Sequence, residues 1–198
     1  MKQKVIIATG NKEKFLEFKR ILDKIGIEAI FPKDMDIFID TDETGATFLE
    51  NAKIKAQAFT KETGLPCIAD DSGLCIDALG GEPGVYSARY LGKDTPYAEK
   101  NKIILQRLSE TKLENRTAYF ESAIYFCPNT DERPIYSIGR CQGYIGFEPK
   151  GENGFGYDPI FYVGEKSYAQ LSPKEKDSIS HRGKALSSLL KKLSEKYI

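Results

Sequence analysis

Two carboxylates stand side by side in "PCIADDSGL", Asp70 and Asp71, directly after an apolar run. Adjacent residues of an extended chain point to opposite faces, so at most one of the pair faces a given metal while the other braces the turn. The loop "DTDETG" adds Asp40, Asp42 and Glu43. The turn "ATGNKEK" leaves a strand and enters a helix at Thr9, Gly10 and Asn11, with Lys12, Glu13 and Lys14 in the first helical turn. Backbone N–H groups at such a helix start attract phosphate, which would account for lysines where the helix dipole disfavours them. Carboxylate loops beside a lysine-bearing turn, without a Cys or His cluster, point to Mg²⁺ and phosphate oxygens. Each pattern also has an ordinary structural reading. Asn11 serves as a simple helix cap, and Asp70, Asp71 and Ser72 serve as turn formers before Gly73.

Two further stretches carry chemistry. In "GFGYD", Gly154 and Gly156 flank Phe155, and Tyr157 and Asp158 follow. Glycines there let the backbone approach a flat ligand on which an aromatic ring stacks, or let the ring tuck beneath the loop. In "EKDSISHRG", the sole histidine, His181, adjoins Arg182 and follows Lys176 by five positions. That is a donor cluster between two expected helices. The Walker pattern and the dinucleotide fingerprint both fail on glycine spacing.

The elements that must position these residues follow from periodicity. Lys4 to Ala8 reads as a buried strand ending in a turn, and residues 12–25 as an amphipathic helix closed by Gly26. Residues 27–31 form the next strand, with a short extended piece at Phe38-Ile39. Thr47-x-x-Glu50 is a capping box for a helix with a Phe48, Ala52, Ala56, Phe59 stripe, stopped at Gly64. "PCIA" is the strand that delivers the Asp pair into a turn. Thr95-Pro96 opens a helix to about residue 109. Residues 117–127 and 134–145 read as a hairpin joined by "PNTDERP", and "IFYV" follows the glycine-rich loop. Ser172 to Glu175 caps a short helix, and the last helix runs over about 183–196.

Alternating strands and helices interrupted by a long hairpin give an α/β protein with a mixed sheet flanked by helices. The 198 residues fit one domain, 1–198, with no linker or repeat. Lys plus Arg and Asp plus Glu are 29 each, so no net field draws the chain to nucleic acid or an anionic membrane. Four scattered cysteines lack zinc spacing and a disulfide framework, and no apolar stretch is long enough to span a bilayer. The basic, briefly apolar start runs into a polar turn, so no signal peptide is expected, and a reducing, cytoplasmic setting follows.

Together and in order, the motifs "TGNxxK", "ETG-x-TF-x-ENA", "ADDSGL-x-ID-x-LGG-x-PG-x-YSARY", "GFGYDP-x-F" and "K-x-x-ISHRG-x-AL" resemble the inosine triphosphate pyrophosphatase family. Its members are also called XTP/dITP diphosphatases or non-canonical purine NTP pyrophosphatases. The resemblance extends from Val5 to Leu190. It implies a homodimeric enzyme of two lobes around a nucleotide-binding cleft, using Mg²⁺ to hydrolyse ITP, dITP and XTP to the monophosphate and pyrophosphate. It further implies that Thr9 to Lys14 hold the triphosphate and that Asp71 is both catalytic proton acceptor and metal ligand. Asp42 would be the other metal ligand, and Ser72, Phe155, Gly156, Tyr157, Asp158, Lys176, His181 and Arg182 would contact the nucleotide. Two departures stand out. Asp42 occupies a position commonly Glu in the family, leaving Asp40 and Glu43 as alternatives, and Lys12-Glu13 replaces small residues. Lys55 is a further candidate phosphate contact. A nucleotide sensor and a Mg²⁺ phosphatase are the rival readings.

Overall fold

The computed structural model describes residues 4–129 and 133–197. Seven strands form a mixed sheet: β1 (Lys4–Ala8), β2 (Glu28–Ile30), β3 (Cys67–Ile76), β4 (Thr117–Cys127), β5 (Ile135–Ile145), β6 (Phe161–Val163) and β7 (Lys166–Ser167). Their order is β2-β1-β3-β4-β5-β6-β7. β1 runs parallel to β2 and β3, whereas β6 is antiparallel to β5 and β7. Five helices accompany them: α1 (Lys12–Leu22), α2 (Phe48–Thr63), α3 (Tyr97–Arg107), α4 (Pro173–Ile179) and α5 (His181–Tyr197). This is the α/β, mixed-sheet architecture expected from the sequence. No helix among the described residues is long and apolar enough to cross a membrane.

The chain divides into two compact units. The first holds residues 1–71, 122–139 and 182–198, and the second 72–121 and 140–181. In the first, strand alternation separates two cores. Val5, Ile7 and Ile68 pack with Phe15, Phe18 and Leu22 of α1 and Leu186 and Leu189 of α5. Ile6, Ala8, Cys67 and Ala69 pack with Ala52, Ala56 and Phe59 of α2. In the second unit, Leu74, Ile76, Ile104, Leu108, Phe120, Phe161 and Tyr168 share one core.

Several expectations are corrected. β3 does not end at the Asp pair but continues through Asp70, Asp71, Ser72 and Gly73 to Ile76. Leu74 and Ile76 extend the buried pattern, and both carboxylates find side-chain partners, so no turn is required to satisfy them. The first helix stops at Leu22 and finishes as a 3₁₀ turn over Asp23–Ile25, leaving Ile25 52% exposed. No strand forms at Phe38, which is 76% exposed. Pro96, not Thr95, is the N-cap of α3; the Thr95 hydroxyl donates instead to the Leu91 carbonyl at 2.6 Å. Both capping boxes form as expected, at Thr47/Glu50 and Ser172/Glu175. The connection between β4 and β5 includes residues 130–132, which lie outside the described residues.

Candidate active site

The alternation that separates the two cores also separates the two carboxylates. Asp70 follows Ile68 onto the side of α1 and α5, and Asp71 follows Ala69 onto the side of α2. Each meets a different set of cations.

Asp70 is 3% exposed and sits at the centre of an ion network. Lys14 Nζ donates to its Oδ2 at 2.9 Å, Arg182 Nη2 donates to the same oxygen at 3.1 Å, and the Ser122 hydroxyl donates to Oδ1 at 2.5 Å. Arg182, 2% exposed, also bonds Glu17 through Nη1. Burial alone would raise Asp70, but the Arg182 and Lys14 charges outweigh it and hold the carboxyl well below the usual range. Asp70 is therefore a fixed anion. It pins Lys14, whose backbone N–H is in turn capped by the Asn11 side chain at 2.9 Å.

Asp71 is set differently. Lys55 Nζ donates to Oδ1 at 2.9 Å and Asn51 Nδ2 to Oδ2 at 3.2 Å. Burial pushes its carboxyl up, and Lys55 and Lys14 only partly offset that rise, to which Glu43 adds. Lys55 has a second carboxylate, Glu43 Oε1, at 3.0 Å. Burial would lower the Lys55 ammonium, yet Asp71 and Glu43 together raise it. Adjacent residues with environments that push their acidities apart are a pattern of acid–base sites. Asn51 also fixes the carboxylate loop, accepting from the Gly45 N–H at 2.8 Å. A Cβ on Gly45 would meet Asn51 Oδ1 at 2.7 Å, so only glycine allows this approach.

A hard divalent cation fits this donor set. Asp71 Oδ1 and Glu43 Oε1 already meet around one cationic centre, the Lys55 ammonium, with no thiolate or imidazole among them. Among the described residues no group of three or more candidate ligands forms. Mg²⁺ does not need one, because it keeps several waters and takes one or two carboxylates plus substrate phosphates. Asp40 and Asp42 lie exposed in the same loop, and Glu43 is the member of that loop brought to Lys55.

In the second unit, Lys176 and Asp158 form a buried pair at 2.6 Å, Lys176 being 5% exposed. The same Asp158 oxygen accepts from the Phe155 N–H at 2.8 Å, and Lys176 lies 4.8 Å from the Phe155 ring centroid. A Cβ on Gly154, whose φ is 74°, would strike Asp158 Oδ2 at 2.1 Å. Tyr157 turns inward to donate to the Ser87 carbonyl at 2.8 Å. His181 stacks on Phe120, centroids 4.7 Å apart, at the first residue of α5.

The structure thus gathers Asn11, Lys14, Asp71 and Arg182 in the first unit, and Phe155, Gly156, Tyr157, Asp158, Lys176 and His181 in the second. Gly10, Lys12 and Glu13 are exposed at the start of α1, Thr9 Oγ1 accepts from the Asn11 N–H at 3.1 Å, and Ser72 is half-buried. Glu17, Asn51 and Ser122 went unread. Asn51 lies within the quoted "ENA" motif. Glu17 sits between Phe15 and Phe18 on the amphipathic α1, and nothing in the pattern distinguishes it from the other charges there.

A model described as the Ham1 family matches residues 5–192. The chain belongs to the Ham1 family. Within that family it is 48% identical to the protein of Haemophilus influenzae called dITP/XTP pyrophosphatase, over 98% of this chain and 100% of that one. It is 43% identical to the protein of that name from Bacillus anthracis, over 100% and 99%. Its fold matches a HAM1 protein from Coxiella burnetii with a TM-score of 0.86 at 42% identity, covering 98% and 99%. The Staphylococcus aureus Ham1 protein gives 0.85 at 39%, covering 98% and 100%. The Ham1 relatives thus carry the activity name to which the sequence motifs pointed.

Proposed function

We propose that the chain hydrolyses purine nucleoside triphosphates of the dITP, ITP and XTP type to the monophosphate and pyrophosphate, cleansing the nucleotide pool. The observation that carries this reading is the split environment of Asp70 and Asp71, one locked as an anion and one poised to take a proton. Its kin named dITP/XTP pyrophosphatase support the substrate class.

In this reading the N–H groups of the Thr9 to Lys14 turn bind phosphate oxygens, aided by the α1 dipole and by Lys14, which Asp70 holds in place. Glu43 and Asp71 would hold Mg²⁺, with Asp42 and Asp40 in the same loop. When bound, the ion supplies charge neutralisation on the phosphates and eases departure of pyrophosphate. Asp71 accepts the proton of the attacking water, and burial, by pushing its pKa up, makes the carboxylate a better base. Arg182 enters through Asp70, its guanidinium being bonded there and to Glu17.

Selection of the base falls to Lys176, His181, Ser72 and the Phe155 to Asp158 segment. Hypoxanthine and xanthine present a carbonyl acceptor at the 6-position, whereas adenine presents an amino donor. A donor left facing another donor costs about 1–3 kcal/mol when buried, and a site built around that bond rejects the wrong base strongly. A cytoplasmic homodimer completes the proposal, and light scattering would read twice the chain mass.

The deciding assay offers ITP, XTP, GTP and ATP with Mg²⁺ and measures pyrophosphate and orthophosphate separately. The expected result is pyrophosphate from ITP and XTP, abolished by EDTA. Orthophosphate in its place would make the chain a phosphatase, and binding without turnover would make it a sensor.

A further inference from the structure

The cations that surround the Asp pair are already matched by carboxylates. Lys14, Lys55 and Arg182 are the positive groups. Against them stand Asp70, Asp71, Glu43 and Glu17. In these pairs three cations face four carboxylates, so the pairs hold no surplus positive charge. A triphosphate, every phosphoryl group of which is anionic, gains little from such a network as a whole. Lys12, exposed at the start of α1, offers one charge outside these pairs, and the neighbouring turn offers a second.

The topology supplies it. β1 and β2 are parallel, with Ile6 opposite Ile30, so the turns that follow them emerge side by side at the carboxyl edge of the sheet, where ligands of α/β proteins bind. The turn after β1 is Thr9-Gly10-Asn11. The turn after β2 is the 3₁₀ segment Pro32–Met35, which carries Lys33. The two meet: a Cβ placed on Gly10 would lie 4.0 Å from Lys33 Cε. Lys33 is exposed, and among the described residues it forms no ion pair, not even with Asp34 or Asp36 beside it in sequence.

We propose that Lys33 is an additional phosphate-binding residue, a mobile ammonium that reaches over Gly10 to the outer phosphates of the bound triphosphate. This rests on the assignment of the Thr9 to Lys14 turn as the phosphate site. As a long-range, solvent-exposed charge, Lys33 acts on substrate capture more than on the chemical step, so its effect belongs in KM and fades with salt.

The test measures steady-state ITP hydrolysis with Mg²⁺ for Lys33→Ala, Lys33→Glu and Lys33→Arg, with Lys93→Ala, an exposed lysine of the second unit, as reference. Lys33→Ala should raise KM about three- to tenfold with kcat held within about twofold, and Lys33→Glu should raise it further. Lys33→Arg should stay near the parent, and the gap between parent and Lys33→Ala should narrow at high salt. In parallel, calorimetry with inorganic triphosphate reads binding without turnover and should show weaker affinity for Lys33→Glu. Unchanged KM in both Lys33→Ala and Lys33→Glu, or unchanged triphosphate affinity in Lys33→Glu, overturns the proposal. If the parent releases no pyrophosphate, the functional reading falls, and the calorimetric comparison still decides Lys33.

Discussion

The two units handle charge in opposite ways. The first buries ion pairs in a linked network, where Asp70, Arg182, Glu17 and Lys14 share bonds and the strand passes directly to Asp71 and its own lysine. The second buries the pair Lys176 with Asp158 and surrounds it with aromatic rings. Networks of the first kind fix the protonation state of each member and so suit a site where charge must move. An ion pair under rings fixes direction and shape, which suits recognition of a flat, neutral group. If this division is right, substitutions in the first unit should alter turnover or stability, and those in the second should alter choice of substrate.

The largest effect is expected at Asp71. Asp71→Asn keeps the size of the side chain and its bond from Asn51 but removes the proposed proton acceptor, so kcat should fall by about 10²- to 10⁴-fold. The thermal unfolding midpoint should move little. A variant that keeps most of its turnover would remove the distinction between the two carboxylates.

Next comes Arg182. Arg182→Met retains the stem and leaves Asp70 and Glu17 buried without their shared guanidinium, a loss of about 3–5 kcal/mol of stability by analogy with broken buried pairs. Denaturant midpoints would read it. The same network predicts an acid limb. Asp70 is depressed in the folded state relative to an unfolded value of about 3.9, so its contribution is present above that pH and is lost as pH falls toward the folded value. The acid-side slope of stability should therefore flatten in Asp70→Asn. An unchanged slope would mean that Asp70 is not the fixed anion its partners imply.

Most of this frame was legible in the chain. The Lys4–Ala8 strand, both capping boxes and the mixed sheet follow from periodicity and cap chemistry, which act within a few residues. What was hidden depends on partners far apart in sequence. The Asp pair looked like a turn because Asp-Asp-Ser-Gly is turn chemistry, and only Lys55, Lys14 and Arg182 brought to it let the strand continue. Glu17 and Ser122 were invisible for the same reason, since their meaning lies in Arg182 and Asp70. The alternation that sends Asp70 and Asp71 to different faces was readable, but which helix awaited each was not.

The smallest effect, and the sharpest on the division between units, belongs to Asp158. Its Oδ2 holds both the Lys176 ammonium and the Phe155 N–H, and Gly154 is bare to let it do so. Asp158→Asn keeps the shape but removes the charge that aims Lys176, so the donor loses direction while Asp71 is untouched. The ratio of kcat/KM for ITP over ATP should fall about tenfold, within the range of one misdirected buried hydrogen bond. Most of that should appear as a higher KM for ITP, with kcat nearly kept. A loss of kcat alike for both nucleotides would instead make Asp158 part of the reaction, and the separation of chemistry from recognition between the two units would fail.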